Sequence, residues 1–516
     1  MAKYWVGRSA GPDNWNATGN TPWSDTDGGA NNAVAPASGD DVIFNGNGAF
    51  GNSSSVINGT RTIRSLTITA GYTATMTHNA VLTIAGNWNY SGTYTIAGTA
   101  NIGSSAAGTF TAGQTWPNAV VFTVTGVRTL ATNLTLGGGI SIAVGPSITI
   151  NSTASETVTI TGGSSSLNAL SGSALLIFTG GSMSSSANTA SSIRLDGNVT
   201  IGNLLKQGGA ITYQSGTITC SGTVTCNNGL TLDVNNNFSF NNLIFQSTGN
   251  GTPFTLTLLS SASVSGLLTI RNGTSGTAGV TLNGATYSIT ASGGLSVVQS
   301  MGNGSAKIIL TGSTWSGSSA LLNDLDLQGN VTVSGSVAYG FGTLNYVSGT
   351  ITTTGVTLSL ASTCTLDTDP VIWPTVTLTN TTAKTYTINS SFTVSGTLTL
   401  GTGATTIFAG TAGWTCGTLS HTGTSAATIA LKEAITYTVT TLLSCFTTRT
   451  GSSLLFSSAH GSTKAILTLS WGATCRCKAN FTRIDASGGR PIRSFNATLT
   501  DTLNCVSISD LKTMAA

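Results

Sequence analysis

Carboxylates are the first residues to weigh, because polysaccharide-cleaving enzymes work with a pair of them across a cleft. Glu occurs only at 156 and 433, and the closest Asp pairs are Asp324/Asp326 and Asp367/Asp369. Two positions apart on a strand, both side chains of a pair leave on one side with Cα atoms ~6.5–7 Å apart, a separation that suits a glycosidase dyad. The same residues are ordinary turn formers in Asn323-Asp324 and in Asp367-Thr368-Asp369-Pro370, and a structural role is the stronger expectation. His78, His421 and His460 are far apart in sequence and form no Ser-His-Asp pattern, so each is expected in solvent or core. Asp25-Thr26-Asp27-Gly28 and Asp367-Thr368-Asp369 have acidic spacing fit for calcium, but neither has the closing Glu of an EF-hand loop. Gly137-Gly138-Gly139 lies between strand-like stretches with no helix after it, which does not support a phosphate cradle. The eight Cys show no zinc spacing, and reduced, buried thiols are expected even for Cys475 and Cys477. No catalytic residue, metal site or cofactor is assigned, and the chain is expected not to be an enzyme.

Sugar binding asks for less: a flat indole face and nearby hydroxyls or amides. Trp88, Trp315, Trp373 and Trp414 are spread through the middle of the chain among Thr and Asn. Trp315, Trp373 and Trp414 are the carbohydrate-binding candidates, against the alternative that each packs at a corner. Thr-x-Thr pairs, a chemistry that can match ice when stacked, occur as Thr67/Thr69, Thr93/Thr95, Thr157/Thr159, Thr217/Thr219 and Thr223/Thr225. Their irregular spacing argues against one flat face.

The elements that position these groups are strands. Ser65-Leu66-Thr67-Ile68, Thr157-Val158-Thr159-Ile160 and Leu230-Thr231-Leu232-Asp233-Val234 alternate apolar and polar residues, the period of a half-buried strand. Gly and Asn punctuate every eight to twelve residues or so, as short turns require. Charged residues make up 7% of the chain, against about a quarter in ordinary domains, while 39% are hydrophobic, which excludes disorder. A net charge of +3 with no basic run argues against nucleic-acid binding. No apolar stretch is long enough to span a bilayer, so membrane insertion is not expected. The opening MAKYWVGRSAGPDNW lacks the apolar segment of a Sec signal, so synthesis in a cytoplasm is expected.

The sequence also repeats itself. Tyr213-Gln-Ser-Gly-Thr-Ile-Thr219 returns as Tyr346-Val-Ser-Gly-Thr-Ile-Thr352, Asp196-Gly-Asn-Val-Thr200 parallels Gln328-Gly-Asn-Val-Thr332, and Val264-Ser-Gly parallels Val394-Ser-Gly, all about 130 residues apart. A module of that length is read as several rungs of roughly 20–25 residues. The expected fold is all-β, a parallel β-solenoid (β-helix) of about three such super-repeats with a capping segment at each end. The expected organisation is a cap or attachment segment at residues 1–50, a solenoid rod at 51–440 with modules near 65–193, 194–324 and 325–440, and a C-terminal capping region at 441–516. Three of the nine Trp fall in the first segment, and the last is locally basic with Arg476, Lys478, Arg483, Arg490 and Arg493.

Both ends carry a resemblance. The opening Tyr4-Trp5-Val6-Gly7, Asn14-Trp15, Pro22-Trp23-Ser24-Asp25 and Gly39-Asp40-Asp41-Val42-Ile43-Phe44 resembles the start of a broad group of phage and metagenomic β-solenoid proteins. The segment Phe481-Thr-Arg-Ile-Asp485-Ala-Ser-Gly-Gly489 looks like their closing segment, while Arg8-Ser-Ala-Gly-Pro12 departs from the Gly-rich stretch expected after Gly7. The resemblance implies a virion-associated fibre, spike or decoration protein on the particle exterior. Such a protein would be held to other virion proteins through its N-terminal segment and would attach to host surface polysaccharide. A homotrimer is the common assembly for such fibres, although no heptad supports one here. A bacterial surface adhesin and a tailspike-type polysaccharide-degrading enzyme are the alternatives.

Overall fold

The structure is a computed structural model. It describes the chain except residues 92–94, 99–101, 105–107, 112–114, 117, 143–144, 228, 248–253, 273–278, 285, 299–300, 303, 318, 322, 380–381, 402–404, 424–425, 448–453, 460–462 and 510–516. The fold is all-β, with no helix among the described residues, and the chain winds as a parallel β-solenoid of about 19 turns. It divides into two compact units, Met1–Asn241 and Asn242–Ala516. The division falls inside the second of the three modules read from the repeats.

Period-2 alternation is what winds the coil. Ser65–Ile68 and Thr157–Ile160 bury every second residue. Parallel in-register pairing then stacks like on like, placing Val42 beside Leu66 and Leu66 beside Trp88. The inward columns are apolar, and burying each Val, Leu or Ile contributes ~1.5–3 kcal/mol. The outward columns are mostly Thr, Ser and Asn, which can stack every ~4.8 Å without like-charge repulsion.

In the first unit each early turn contributes three strands, for example Ser65–Ile68, Thr75–His78 and Leu82–Ile84. Strand Ala2–Trp5 pairs in parallel with Asp41–Phe44 and antiparallel with Trp23–Ser24, the one antiparallel pairing described. Reversing direction at the sheet edge places a two-residue strand where a further turn would otherwise stack, and so shortens an aggregation-prone edge. Trp5, Trp15 and Trp23 are fully buried around Phe44, with ring centroids 5.0–5.7 Å apart. The Trp5 Nε1 group donates to Ser53 O at 3.1 Å, and Trp23 Nε1 donates to Trp15 O at 3.1 Å. After Leu170–Ser171 one sheet ends, and longer strands such as Ser182–Thr189 and Val199–Gln207 carry the turn with register shifts between them.

The second unit makes the same change. Its turns have three strands as far as Val331–Val333, Ser336–Tyr339 and Thr343–Tyr346, and the first of those sheets ends at Ile351–Thr352. Afterwards two strands form a turn, one of them long and bent: Ile372–Leu378, Phe392–Thr399, then Trp414–Gly423. The bends are register shifts at Trp373/Thr375, Val394/Thr397 and Cys416/Thr418. Pro374 sits at the first of these, where its missing N–H costs no ladder bond.

The recurrent heptapeptide marks one corner built twice. Tyr213 OH donates to Gly216 O at 3.1 Å and Tyr346 OH donates to Gly349 O at 3.0 Å. Asn198 Oδ1 accepts from Thr217 N at 3.0 Å, and Asn330 Oδ1 accepts from Thr350 N at 3.3 Å. Gly216 and Gly349 have φ of +89° and +90°, and a Cβ would lie 2.3 Å from the carbonyl of Gly197 or 2.1 Å from that of Gly329. Only glycine satisfies both the left-handed backbone and the close approach of the turn below.

Candidate functional site: the bent corner of the second unit

Where the sheet ends at Ile351–Thr352, the next turn passes as Pro370–Pro374 and leaves an open groove of about 600 Å³. It is lined by residues 351–355, Pro370, Ile372, Pro374 and Ser395. Thr353 Oγ1 donates to Ile372 O and closes one end of the gap between the turns. Ile372 is 53% exposed while the adjacent Trp373 is fully buried beneath it. The lining is therefore mixed, apolar at Ile351, Pro370, Ile372 and Pro374 and hydroxyl-bearing at Thr352, Thr353, Thr354 and Ser395.

From Pro374 the corner continues turn by turn. Register places Ser395 and Gly396 on the next turn, then Gly417, then Thr440 and Thr441. On the following turn the residues between Leu469 and Thr474 occupy that position, opposite Thr440 and Thr441. Four residues now span what two spanned before, and the surplus is pushed out as a turn with Ala473 N donating to Ser470 O at 2.9 Å. Trp471 stands on it, 76% exposed. Four steps of ~4.8 Å put this indole ~19 Å along the corner from Pro374. The Arg490 side chain braces the turn, donating from Nη1 to Ala473 O at 2.9 Å.

The sugar-facing expectation for Trp315, Trp373 and Trp414 does not hold: all three are 0–1% exposed. Trp315 stacks inward beside Leu295 and Val333, Trp373 beside Val394, and Trp414 beside Phe392, because each falls on the buried phase of its strand. Trp88 is buried too. Trp471 was not singled out in the sequence, although it stands beside Gly472 between two alternating strands. That loop position was the available signal.

Asp324 and Asp326 are each tied into the fold. Asp324 Oδ1 accepts from Thr343 N at 2.7 Å, while Asp326 pairs with Lys307 Nζ at 3.0 Å and accepts from Asn345 at 3.1 Å. Asp367 and Asp369 flank the buried Thr368, and Asp369 is exposed. Asp25 pairs with Lys3, and Asp27 accepts from Asn45 and Asn47, so these acids fasten the first turns together. Asp41 is held below its ordinary value by its hydrogen bond with Arg64. Of the Thr-x-Thr pairs, Thr159 lies beside Thr135 on one neighbouring turn, but on the other Thr157 and Thr159 lie beside Leu175 and Ile177, where the hydroxyl column stops. Thr375/Thr377 and Thr397/Thr399 do stack on consecutive turns.

Burial shifts titratable groups inside the coils toward their neutral forms. His78 is buried against Trp116, ring centroids 5.9 Å apart, and desolvation lowers it to about 4. Burial also lowers His421, which stands in an inward column with Cys445 and Cys477. His460 lies outside the described residues. Lys206 is lowered to about 8 by burial, and its Nζ donates to Gly208 O. All eight cysteines are free, and burial raises Cys226 to about 12 and Cys445 and Cys477 well above the usual thiol value. Comparison with protein-family models, curated proteins and solved structures gives no match for this chain.

Proposed function

We propose that this protein is a virion-associated fibre, spike or decoration protein that attaches its particle to glycans on the host surface. The observation that carries this reading is Trp471: of nine tryptophans it alone is displayed, while the other eight are buried. An exposed indole offers a flat apolar face with a polar N–H at its edge, and a pyranose face fits it. The groove at Pro374, lined by apolar and hydroxyl-bearing side chains together, lies on the same corner and adds a second place for sugar contact. An uncharged Thr, Ser and Asn exterior and an edge-shortening first turn suit a particle surface. Residues 1–50 are the proposed attachment segment to other virion proteins, in a homotrimer if the common fibre assembly holds.

A glycan array read with wild-type protein and with Trp471→Ala tests the attachment. We expect wild-type binding to host surface glycans, reduced at least about tenfold in the variant, which corresponds to ~1.4 kcal/mol. Equal binding by both removes Trp471 from the reading, and release of shortened oligosaccharides overturns the non-enzymatic assignment. Antibody-labelled cryo-electron microscopy of purified particles tests the location. Label on the host cell surface and none on particles favours a bacterial adhesin instead.

A further inference from the structure

One outward column of the second unit changes chemistry along its length. Register runs from Ser359 to Thr377, Thr399, Ser420 and Ser444, a hydroxyl on every turn. The next member is Arg476, and the pairing of Cys477 with Ser494 brings Arg493 alongside it on the turn after. Two arginines at adjacent register positions have backbones ~4.8 Å apart, and like charges directly opposite destabilise a sheet. No acid answers them: among the described residues neither arginine forms a salt bridge, and Lys464 to Arg493 contains Lys464, Arg476, Lys478, Arg483, Arg490 and Arg493 against the single acid Asp485. Arg490 supports the Trp471 turn, Cys475 Sγ donates to Arg493 O at 3.0 Å, and the charges of Arg490 and Arg493 both act on that thiol. Arg476 is exposed on the strand Thr474–Cys477 that follows Trp471, and Lys478 is exposed just past its end.

We infer that Trp471 and the stacked Arg476 and Arg493 form a binding surface for an anionic polysaccharide, a uronate- or sulfate-bearing chain. The indole takes a sugar face and the guanidiniums take its carboxylate or sulfate oxygens. This rests on the attachment reading above and narrows its ligand class. The discriminating variant is Arg476→Ser/Arg493→Ser, which continues the hydroxyl column of the preceding turns and so preserves the fold. Immobilised alginate, dextran sulfate, neutral dextran, double-stranded DNA and phosphatidylglycerol vesicles serve as probes, with salt varied. We expect binding to alginate or dextran sulfate that weakens steeply with salt and falls about tenfold or more in the double variant, the loss of ~1.4 kcal/mol. Undiminished binding by the variant overturns the inference, as does tighter binding to DNA or vesicles than to either polyanionic glycan. Binding to host glycans in the array but to neither polyanion overturns the inference and leaves attachment standing. Binding to no glycan at all removes both.

Discussion

The two units build the same corner and dispose of their tryptophans differently. The first encloses Trp5, Trp15, Trp23, Trp88 and Trp116; the second encloses Trp315, Trp373 and Trp414 but sets Trp471 in water. The difference is one of strand phase and turn length. An indole on the inward phase of a strand is covered by the turns on either side, as Trp88 is by Leu66 and Phe110. An indole in a corner that has gained residues has no turn to cover it. Burial of a large residue in a solenoid is thus decided by position on the rung, and a displayed indole marks a place where covering was given up.

The sharpest way to break this comparison is truncation. Trp23→Ala opens a cavity in the aromatic cluster and is expected to cost ~3–5 kcal/mol, read as a fall in the urea midpoint. Loss of less than about 1 kcal/mol would show that the cluster does not hold the first turns. Next is acid. His78 is neutral in the fold with its value lowered to about 4 from 6.5, so the unfolded chain binds a proton first as pH falls. Stability is full above pH 6.5 and declines between 6.5 and about 4 by about 3 kcal/mol. His78→Leu should flatten that slope, and an unchanged slope would place the titration elsewhere. The shared corner gives the third test: Gly216→Ala and Gly349→Ala should each cost roughly 2 kcal/mol or more, from the left-handed backbone and the carbonyl below. Markedly unequal losses would end the equivalence of the two corners. The smallest effect is Trp471→Ala, expected within about 0.5 kcal/mol of wild type in the same melt. A large loss there would make Trp471 a structural residue.

The tyrosine and glycine of the heptapeptide were legible in the sequence because each repeat preserves a full local hydrogen-bond set, Tyr OH to Gly O and Asn Oδ1 to Thr N. The strands were legible because alternation reports burial directly. The candidate site was not. Trp315, Trp373 and Trp414 have the right chemistry for sugar, but facing depends on strand phase, and sequence alone did not fix the phase through bulges such as that at Pro374. The Arg476 and Arg493 column was also hidden, since the two are neighbours only through the register of Cys477 with Ser494.

By itself the sequence determined the all-β, coiled character of this protein: period-2 patterning, scarce charge and glycine-marked corners admit little else. Only the tertiary structure decided which side chains face water, where a sheet stops and opens a groove, and which distant residues become neighbours. The physical reason is that parallel register joins positions some twenty residues apart, and a corner that gains a residue, as Ser395-Gly396 does over Pro374, takes it up as a bulge that leaves Val376 and Leu398 both facing inward.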